Sequence, residues 1–455
     1  MEKSTVLGQS DMEILQLTPG AGTMYCGNCL RDNALVGALR QLGHNVLMVP
    51  LYLPLTLDES DQSAGTPVFF SGINVYLDQQ SNWFRRGPRW LHQFLARPSL
   101  LKWAARQSAK TQASSLGPLT LSMLRGEAGH QARELDDLLI WLKSQPAPDV
   151  IFLSNALLLG MARKLKKELD RPLVCMLQGE DYFLDSLPEP HRQNCWDTLA
   201  VCAREADMFV APSHYFAQLM AKRLGLPEGQ TRVVYNGLNL DGFEQSSNPN
   251  KPSQPVLGYL ARLCREKGLD TLVDAFITIR TRGQVPGLKL CVVGSLGPTD
   301  ESLVSDLKQR LRAAGLEREA SFHPNVQRAE KLQLLHSFSV FSVPALYGEA
   351  FGLYLLEALA AGVPVVQPRT AAFPELIEQT AGGLVYDPQD PPALVDALEG
   401  LLLSPERAKK LGAAGREAVF QRFSAEAMAR AMADAVEPFS RSKAHVAFRE
   451  AYRKA

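Results

Sequence analysis

The sequence predicts an α/β protein built from two doubly wound, parallel-sheet domains in tandem, and three observations carry that prediction. The chain has 455 residues, whereas single hydrophobic cores stop growing near ~250–300 residues. Its start reads strand, glycine-bearing turn, helix, strand, the order of a βαβ unit and hence of a parallel sheet. A polar, Pro-rich stretch, Gln245-Ser-Ser-Asn-Pro-Asn-Lys-Pro-Ser-Gln-Pro255, then reads as a linker, after which the same rhythm restarts. We therefore expect an N-terminal domain over 1–248, a C-terminal domain over 252–422, and a helical tail over 423–455.

The elements follow in order. Met12-Glu-Ile-Leu-Gln-Leu-Thr18 is a short apolar strand running into Pro19-Gly20-Ala-Gly22-Thr23. A helix from Asn28 to Leu42 stops at Gly43, and Asn45 to Tyr52 is a second buried strand. Further strands are expected at 150–153, 172–177, 208–211 and 232–235. Beyond the linker, Val256 to Leu260 is a strand, Gly268 to Ile279 a helix, and Leu288 to Gly294 a strand. The apolar run Val340-Phe-Ser-Val-Pro344 leads into a helix over Leu353–Ala361; Gly362 ends it, and Val363-Pro-Val-Val366 is the next buried strand. Leu384-Val-Tyr386 closes the sheet, and a last helix spans Ala425–Val436.

Composition narrows the function class. Lys plus Arg and Asp plus Glu both number 48, so bulk charge gives no nucleic-acid footprint. No apolar run reaches the ~18–20 residues of a membrane span. The first residues lack a signal-peptide layout, and the seven cysteines are an odd number set mostly in apolar segments. Together these predict a protein with reduced thiols working on the cytoplasmic side.

The most informative segment is Ala345-Leu-Tyr-Gly-Glu349-Ala-Phe-Gly352-Leu-Tyr-Leu-Leu-Glu357-Ala-Leu-Ala-Ala-Gly362-Val-Pro-Val-Val366. Two glutamates stand eight residues apart around a helix start, where free backbone amides would face an anion. A second segment, Gly258-Tyr-Leu-Ala-Arg262-Leu-Cys-Arg-Glu-Lys267-Gly268, sets an Arg at a strand end and a Lys at a helix start. A fixed Arg and Lys so placed offer positive charge to a bound anion without a metal, the Arg with directional paired hydrogen bonds.

These two segments resemble the signatures of retaining, nucleotide-sugar-dependent glycosyltransferases of family 4, strongest from about Val256 to Asp387. The resemblance implies the GT-B fold, two Rossmann-like domains facing a central cleft, with donor held by the C-terminal domain and acceptor by the N-terminal one. It further implies Arg262 and Lys267 on the diphosphate, Glu357 on the ribose, and Glu349 with the Phe351, Gly352 and Leu353 amides on sugar and phosphate. Arg262, Lys267, Glu349 and Gln178 are the expected catalytic set. No cofactor and no metal are implied beyond the donor substrate itself; the partners are a nucleotide sugar and a sugar or lipid-linked acceptor.

Gln178 is a departure, because the family commonly carries a His in that turn, and glutamine has no titratable group. Glu180 and Asp181 are the nearest ionisable side chains, placed either to meet the acceptor or to cap the next helix; Asn155 stands at another strand end as an acceptor candidate. Gly20 and Gly22 correspond to the family's glycine-rich donor loop, although a plain tight turn fits them also. Ser213 and Asn236-Gly237 echo the family and read as structural. Cys26 and Cys29 form a Cys-x-x-Cys that fits structural thiols, a redox pair or half a metal site.

Residues 79–126 lack any acidic side chain yet hold Arg85, Arg86, Arg89, Arg97, Lys102, Arg106, Lys110 and Arg125, interleaved with Trp83, Trp90 and Trp103. This basic helical insertion suits an anionic membrane surface, an anionic acceptor, or a solvated hairpin capping the core. The leading expectation is thus a cytoplasmic, metal-independent retaining hexosyltransferase, with a peripheral place at the inner face of the membrane as one of the uses open to the insertion. The alternatives are a nucleotide-sugar epimerase of the same fold and a non-catalytic nucleotide-sugar-binding or redox-sensing protein.

Overall fold

The computed structural model describes residues 11–20, 27–55, 57, 59–70, 116–244 and 254–440. Gly22, Cys26, the tryptophans and most of the arginines of the basic insertion, the centre of the linker and residues 441–455 lie outside these. Twelve strands form two all-parallel sheets of six among the described residues. The first comprises β1 (Glu13–Thr18), β2 (Asn45–Pro50), β3 (Val150–Leu153), β4 (Leu173–Met176), β5 (Met208–Ala211) and β6 (Thr231–Val233), in spatial order β2-β1-β3-β4-β5-β6. The second comprises β7 (Val256–Leu260), β8 (Lys289–Gly294), β9 (Ala320–Pro324), β10 (Val340–Phe341), β11 (Val365–Pro368) and β12 (Gly383–Tyr386), in order β12-β11-β10-β7-β8-β9.

Central strands such as β3, Val-Ile-Phe-Leu, are buried at every position because helices cover both faces of a parallel sheet. Edge strand β9, Ala-Ser-Phe-His-Pro, has no fully buried residue. That half-exposed edge gives no apolar run, which is why its sequence does not announce a strand. The helices that bear on the site, labelled in chain order, are α1 (Gly27–Gln41), α2 (Glu180–Asp185), α3 (His214–Leu224), α4 (Leu269–Arg282), α5 (Arg328–Ser337), α6 (Leu353–Ala360), α7 (Phe373–Thr380), α8 (Pro405–Arg422) and α9 (Ala425–Ser440).

Each sheet has a point at which strand order reverses, between β1 and β3 in the first and between β7 and β10 in the second. In open α/β sheets ligands bind outside the strand carboxyl ends at such points. After α8 the chain returns to the first sheet: Leu238 and Ser424 form a parallel bridge, with Leu238 N donating to Phe423 O at 2.8 Å and Ala425 N to Leu238 O at 2.8 Å. Helix α9 then buries Met428, Ala429, Met432 and Val436 in one cluster with Met12, Ile14, Leu35 and Leu39. The C-terminal helix therefore completes the core under β1 and α1.

Candidate active site

A cleft of about 380 Å³ opens between the two sheets, lined on one side by α1, α2 and the loop after β6, and on the other by the ends of β7, β8 and β10 and the start of α6. Its centre is a knot of charge on the second-sheet wall. Gly268 has φ +67°, and a Cβ there would stand 1.9 Å from the carbonyl oxygen of Pro344. Only a glycine lets the backbone before α4 pass so close to the β10 end, and this passage sets Lys267 against Glu349. The Lys267 ammonium pairs with the Glu349 carboxylate, which also accepts from the Tyr354 hydroxyl at 2.9 Å. Lys267 Nζ lies 4.8 Å from the Tyr347 ring centre and 5.4 Å from that of Tyr354. Burial first, and then the Glu349 charge, push both phenols well up, so both remain donors.

Arg262 follows β7 at the same reversal point. Its side chain is half exposed, with Nε 2.9 Å from Asp300 Oδ2 and Nη2 3.5 Å from Thr299 Oγ1. Burial lowers its pKa, but the hydrogen bond and charge of Asp300 outweigh that and hold it above the usual arginine value. Glu357, one helical turn along α6, meets the Lys331 ammonium at 2.9 Å. Phe351, Gly352 and Leu353 line the cleft where α6 begins. Arg262, Lys267, Glu349, Phe351, Gly352, Leu353 and Glu357 are thus gathered on one wall.

The opposite wall is less uniform. Gln178 faces the cleft and exchanges side-chain amides with Asn236, each N to O distance being 3.3 Å. Asp181 also lines the cleft. Burial raises its carboxyl, Asp185 adds in the same direction, and Arg223 opposes. Glu180 does not line the cleft. It is 4% exposed, accepting from Ala156 N at 2.7 Å and Gln178 N at 2.8 Å, and so ties the ends of β3 and β4 together. Asn155 accepts from Leu157 N at 3.1 Å and caps the short helix after β3. The two acceptor candidates Glu180 and Asn155 accept from backbone amides instead, because both follow parallel strands whose buried ends leave amides in need of an acceptor.

Gly20 also departs from its expected place. It has φ +73°, and a Cβ would fall 1.8 Å from Leu53 O, so a close crossing of two loops accounts for the glycine. It is not among the residues lining the cleft. Cys29 is buried on α1, while its partner Cys26 lies outside the described residues.

Several cleft groups carry no signal in the linear sequence. Arg31, 2% exposed, pairs with Asp32 at 2.9 Å and donates to Ser154 O at 2.9 Å. Asp32 in turn accepts from Thr18 Oγ1 at 2.7 Å and Ser154 Oγ at 2.5 Å. This network locks the β1 and β3 ends, the reversal point of the first sheet. Burial raises the Asp32 carboxyl even though Arg31 and the two hydroxyls pull it down. Lys331 and Asp300 become visible as site residues only through their partners. Among the described residues no group of three or more His, Cys, Asp or Glu side chains is gathered to hold a metal ion.

With this geometry in place, sequence comparison decides the family. Residues 116–241 match the model described as Glycosyltransferase Family 4, and residues 242–418 match the model described as Glycosyl transferases group 1. The chain belongs to glycosyltransferase family 4. Among curated members, it is 34% identical over 188 residues to a GDP-mannose-dependent alpha-(1-6)-phosphatidylinositol monomannoside mannosyltransferase of Mycobacterium tuberculosis, covering 40% of this chain. That match spans about half the relative's own length, 47%. A D-inositol 3-phosphate glycosyltransferase of Thermobifida fusca is 26% identical over 318 residues, 66% of this chain and 69% of that one.

Solved structures support the family fold. Sucrose-phosphate synthase from Thermosynechococcus elongatus superposes with a TM-score of 0.68 at 21% identity, over 95% of this chain and 100% of that one. Anabaena HepE, solved with UDP and glucose, gives 0.64 at 18% identity, over 94% and 100%. The architecture is therefore the two-domain GT-B arrangement of family 4. No helix among the described residues is long and apolar enough to cross a membrane.

Proposed function

We propose that the protein is a retaining glycosyltransferase that moves a hexose from a nucleoside-diphosphate sugar to an acceptor hydroxyl without a metal ion. The observation that carries this reading is the convergence of Arg262, Lys267, Glu349 and Glu357 on one cleft wall at the second sheet's reversal point. Arg262 and Lys267 take the diphosphate. To do so Arg262 turns from Asp300 toward the phosphates, and Lys267 shares its charge between Glu349 and the leaving group. Glu349 and the amides at the start of α6 hold the sugar and phosphate, and Glu357 holds the ribose. Attack comes from the face the leaving group departs, with a diphosphate oxygen helping to take the acceptor proton. Gln178, fixed by Asn236, hydrogen-bonds a sugar hydroxyl instead of transferring a proton.

The names of relatives favour uridine or guanosine donors and polyol acceptors. The mycobacterial enzyme is named for GDP-mannose and a phosphatidylinositol monomannoside, the Thermobifida enzyme for inositol 3-phosphate, and a HepE structure holds UDP-glucose. The acceptor is accordingly a sugar or cyclitol, free or lipid-linked. For a lipid-linked acceptor the basic, Trp-bearing segment 79–126 would place the protein peripherally on an anionic, inner membrane face.

A thermal-shift screen of UDP-, GDP- and ADP-sugars tests the donor site, because a ligand of the folded state raises Tm. Nucleoside-diphosphate release from the stabilising donor, followed by NMR of the anomer formed, tests the chemistry. The α-anomer of an α-donor is expected to persist. Absence of both stabilisation and release across all three donor classes would overturn the reading.

A further inference from the structure

Lys331 is 5% exposed in the wall of the cleft, although lysine is rarely buried without a partner. Helix α5 buries two residues one turn apart, Lys331 and Leu335. An apolar side chain at the first position would give the same packing with no ammonium to desolvate. Among the described residues Lys331 pairs with Glu357 on α6, 2.9 Å away and itself mostly buried. Such pairs rarely stabilise a fold relative to apolar residues of the same size. Stability therefore does not explain this lysine, whereas its place beside Glu357 in the cleft does.

The neighbouring cation on the same helix has a different task. Arg328 meets Glu59 at 3.1 Å and donates to Asn239 O at 3.0 Å and Asp241 O at 2.8 Å, so it braces the loops across the cleft. Lys331 instead stands against the one carboxylate assigned to the ribose. A vicinal diol offers two donors and two acceptors, and a carboxylate only accepts, whereas an ammonium carries three N–H donors. The ion pair thus presents a donor and an acceptor side by side, the complement of a ribose 2′,3′-diol.

We propose that Lys331 and Glu357 together read the ribose diol of the donor, with Lys331 the residue that selects a ribonucleotide over its 2′-deoxy counterpart. This rests on the nucleotide-sugar reading of the cleft. A site built around a hydroxyl rejects the analogue lacking it, because its own buried polar group is left unpaired.

The test is calorimetric titration of the full-length protein with UDP, GDP, their 2′-deoxy counterparts and inorganic pyrophosphate. The wild type should bind its preferred ribonucleotide about tenfold or more tighter than the deoxy form, the scale of one hydrogen bond to a charged group. Lys331→Met should lose most of that ratio, and pyrophosphate, which has no ribose, should bind both proteins alike. Because Lys331→Met leaves Glu357 without its cation, the double variant Lys331→Met/Glu357→Gln serves as the folding control. It should melt no lower than the wild type and still lack the ribonucleotide preference. A wild type without that preference, or a well-folded Lys331→Met that keeps it, overturns the proposal. Both results differ from a wild type that binds no nucleoside diphosphate at all, which removes the underlying reading as well.

Discussion

The hydroxyl of Tyr235, in the loop after β6, donates to the carboxylate of Glu375 on α7 at 2.9 Å. The same carboxylate accepts from the backbone of His214 at 2.9 Å and of Tyr215 at 3.1 Å, the first amides of α3. A side chain packed with the second sheet therefore caps a helix packed with the first. Beside it, Ser213 Oγ donates to Ala350 O at 2.8 Å, one residue from Glu349. The rings of Tyr182 and Tyr347 stack across the cleft with centres 4.1 Å apart. These contacts fix the distance between the two walls of the site.

Glu375→Ala removes a charged cap and leaves two amides and a phenol without their acceptor. We expect a loss of about 1–3 kcal/mol of stability, measured by urea denaturation. An unchanged midpoint would show that water replaces the carboxylate at no cost, and that the cap is not what holds the walls together.

Removing either of the two cations proposed to hold the diphosphate should suppress turnover in a folded protein. Arg262→Ala and Lys267→Ala are each expected to lower kcat/KM by about 100-fold or more, the scale of losing a group aimed at developing charge. Of the two, Lys267→Ala also strips Glu349 of its ion pair, so its circular dichroism and Tm should be recorded alongside. Near-normal kinetics in both variants would dismiss the clamp.

Activity should survive excess EDTA, since the leaving group is neutralised by side chains in the proposed mechanism. Loss of transfer in chelator, restored by added Mg²⁺ or Mn²⁺, would assign that task to a metal instead.

The pH dependence of Asp181→Asn has a defined sign. Burial raises the Asp181 carboxyl in the folded protein, with Asp185 adding to burial and Arg223 and the nearby amides opposing it. The folded state then holds the proton more tightly than the unfolded chain, so stability falls as pH rises from the ordinary aspartate value, near ~4, through the raised one. Asparagine lacks that penalty, and the Tm difference between variant and wild type should shift in the variant's favour between pH 4 and pH 7. A constant offset over that range would mean the carboxyl titrates alike in both states.

For the basic segment we expect binding to vesicles containing anionic lipid but not to zwitterionic ones, weakening steeply with salt. Each basic residue near such a surface contributes on the order of 1 kcal/mol, screened within a Debye length. Arg85, Arg86 and Arg89 changed together to Glu should abolish it while donor hydrolysis continues. A wild type indifferent to anionic lipid at low salt would leave an anionic soluble acceptor or a capping hairpin as the better account.

The α/β class was legible because strands buried on both faces write continuous apolar runs, such as Val150–Leu153 and Val256–Leu260. Edge strand β9 left no such run, and its residues gave no warning. The candidate donor wall was legible for a related reason. Glu349, the start of α6 and Glu357 lie within one strand–loop–helix unit, and Arg262 and Lys267 within another, so each half is a local pattern. Glu180 and Asn155 show the opposite case. Both stand at strand ends, where a polar side chain serves a ligand or a backbone amide equally well, and the fold aims them at amides.

What the sequence determined by itself is therefore the order of elements and the residue types at the ends of β7 and β10, because dihedral preference and burial periodicity act over a few neighbours. What only the tertiary structure decided is which charges meet: Lys267 with Glu349, Lys331 with Glu357, and Glu375 with the start of α3. Those pairings join positions from 26 to 161 residues apart. They exist because two sheets wind their strands so that carboxyl ends face one cleft, and a buried charge must find its partner wherever that winding has placed it.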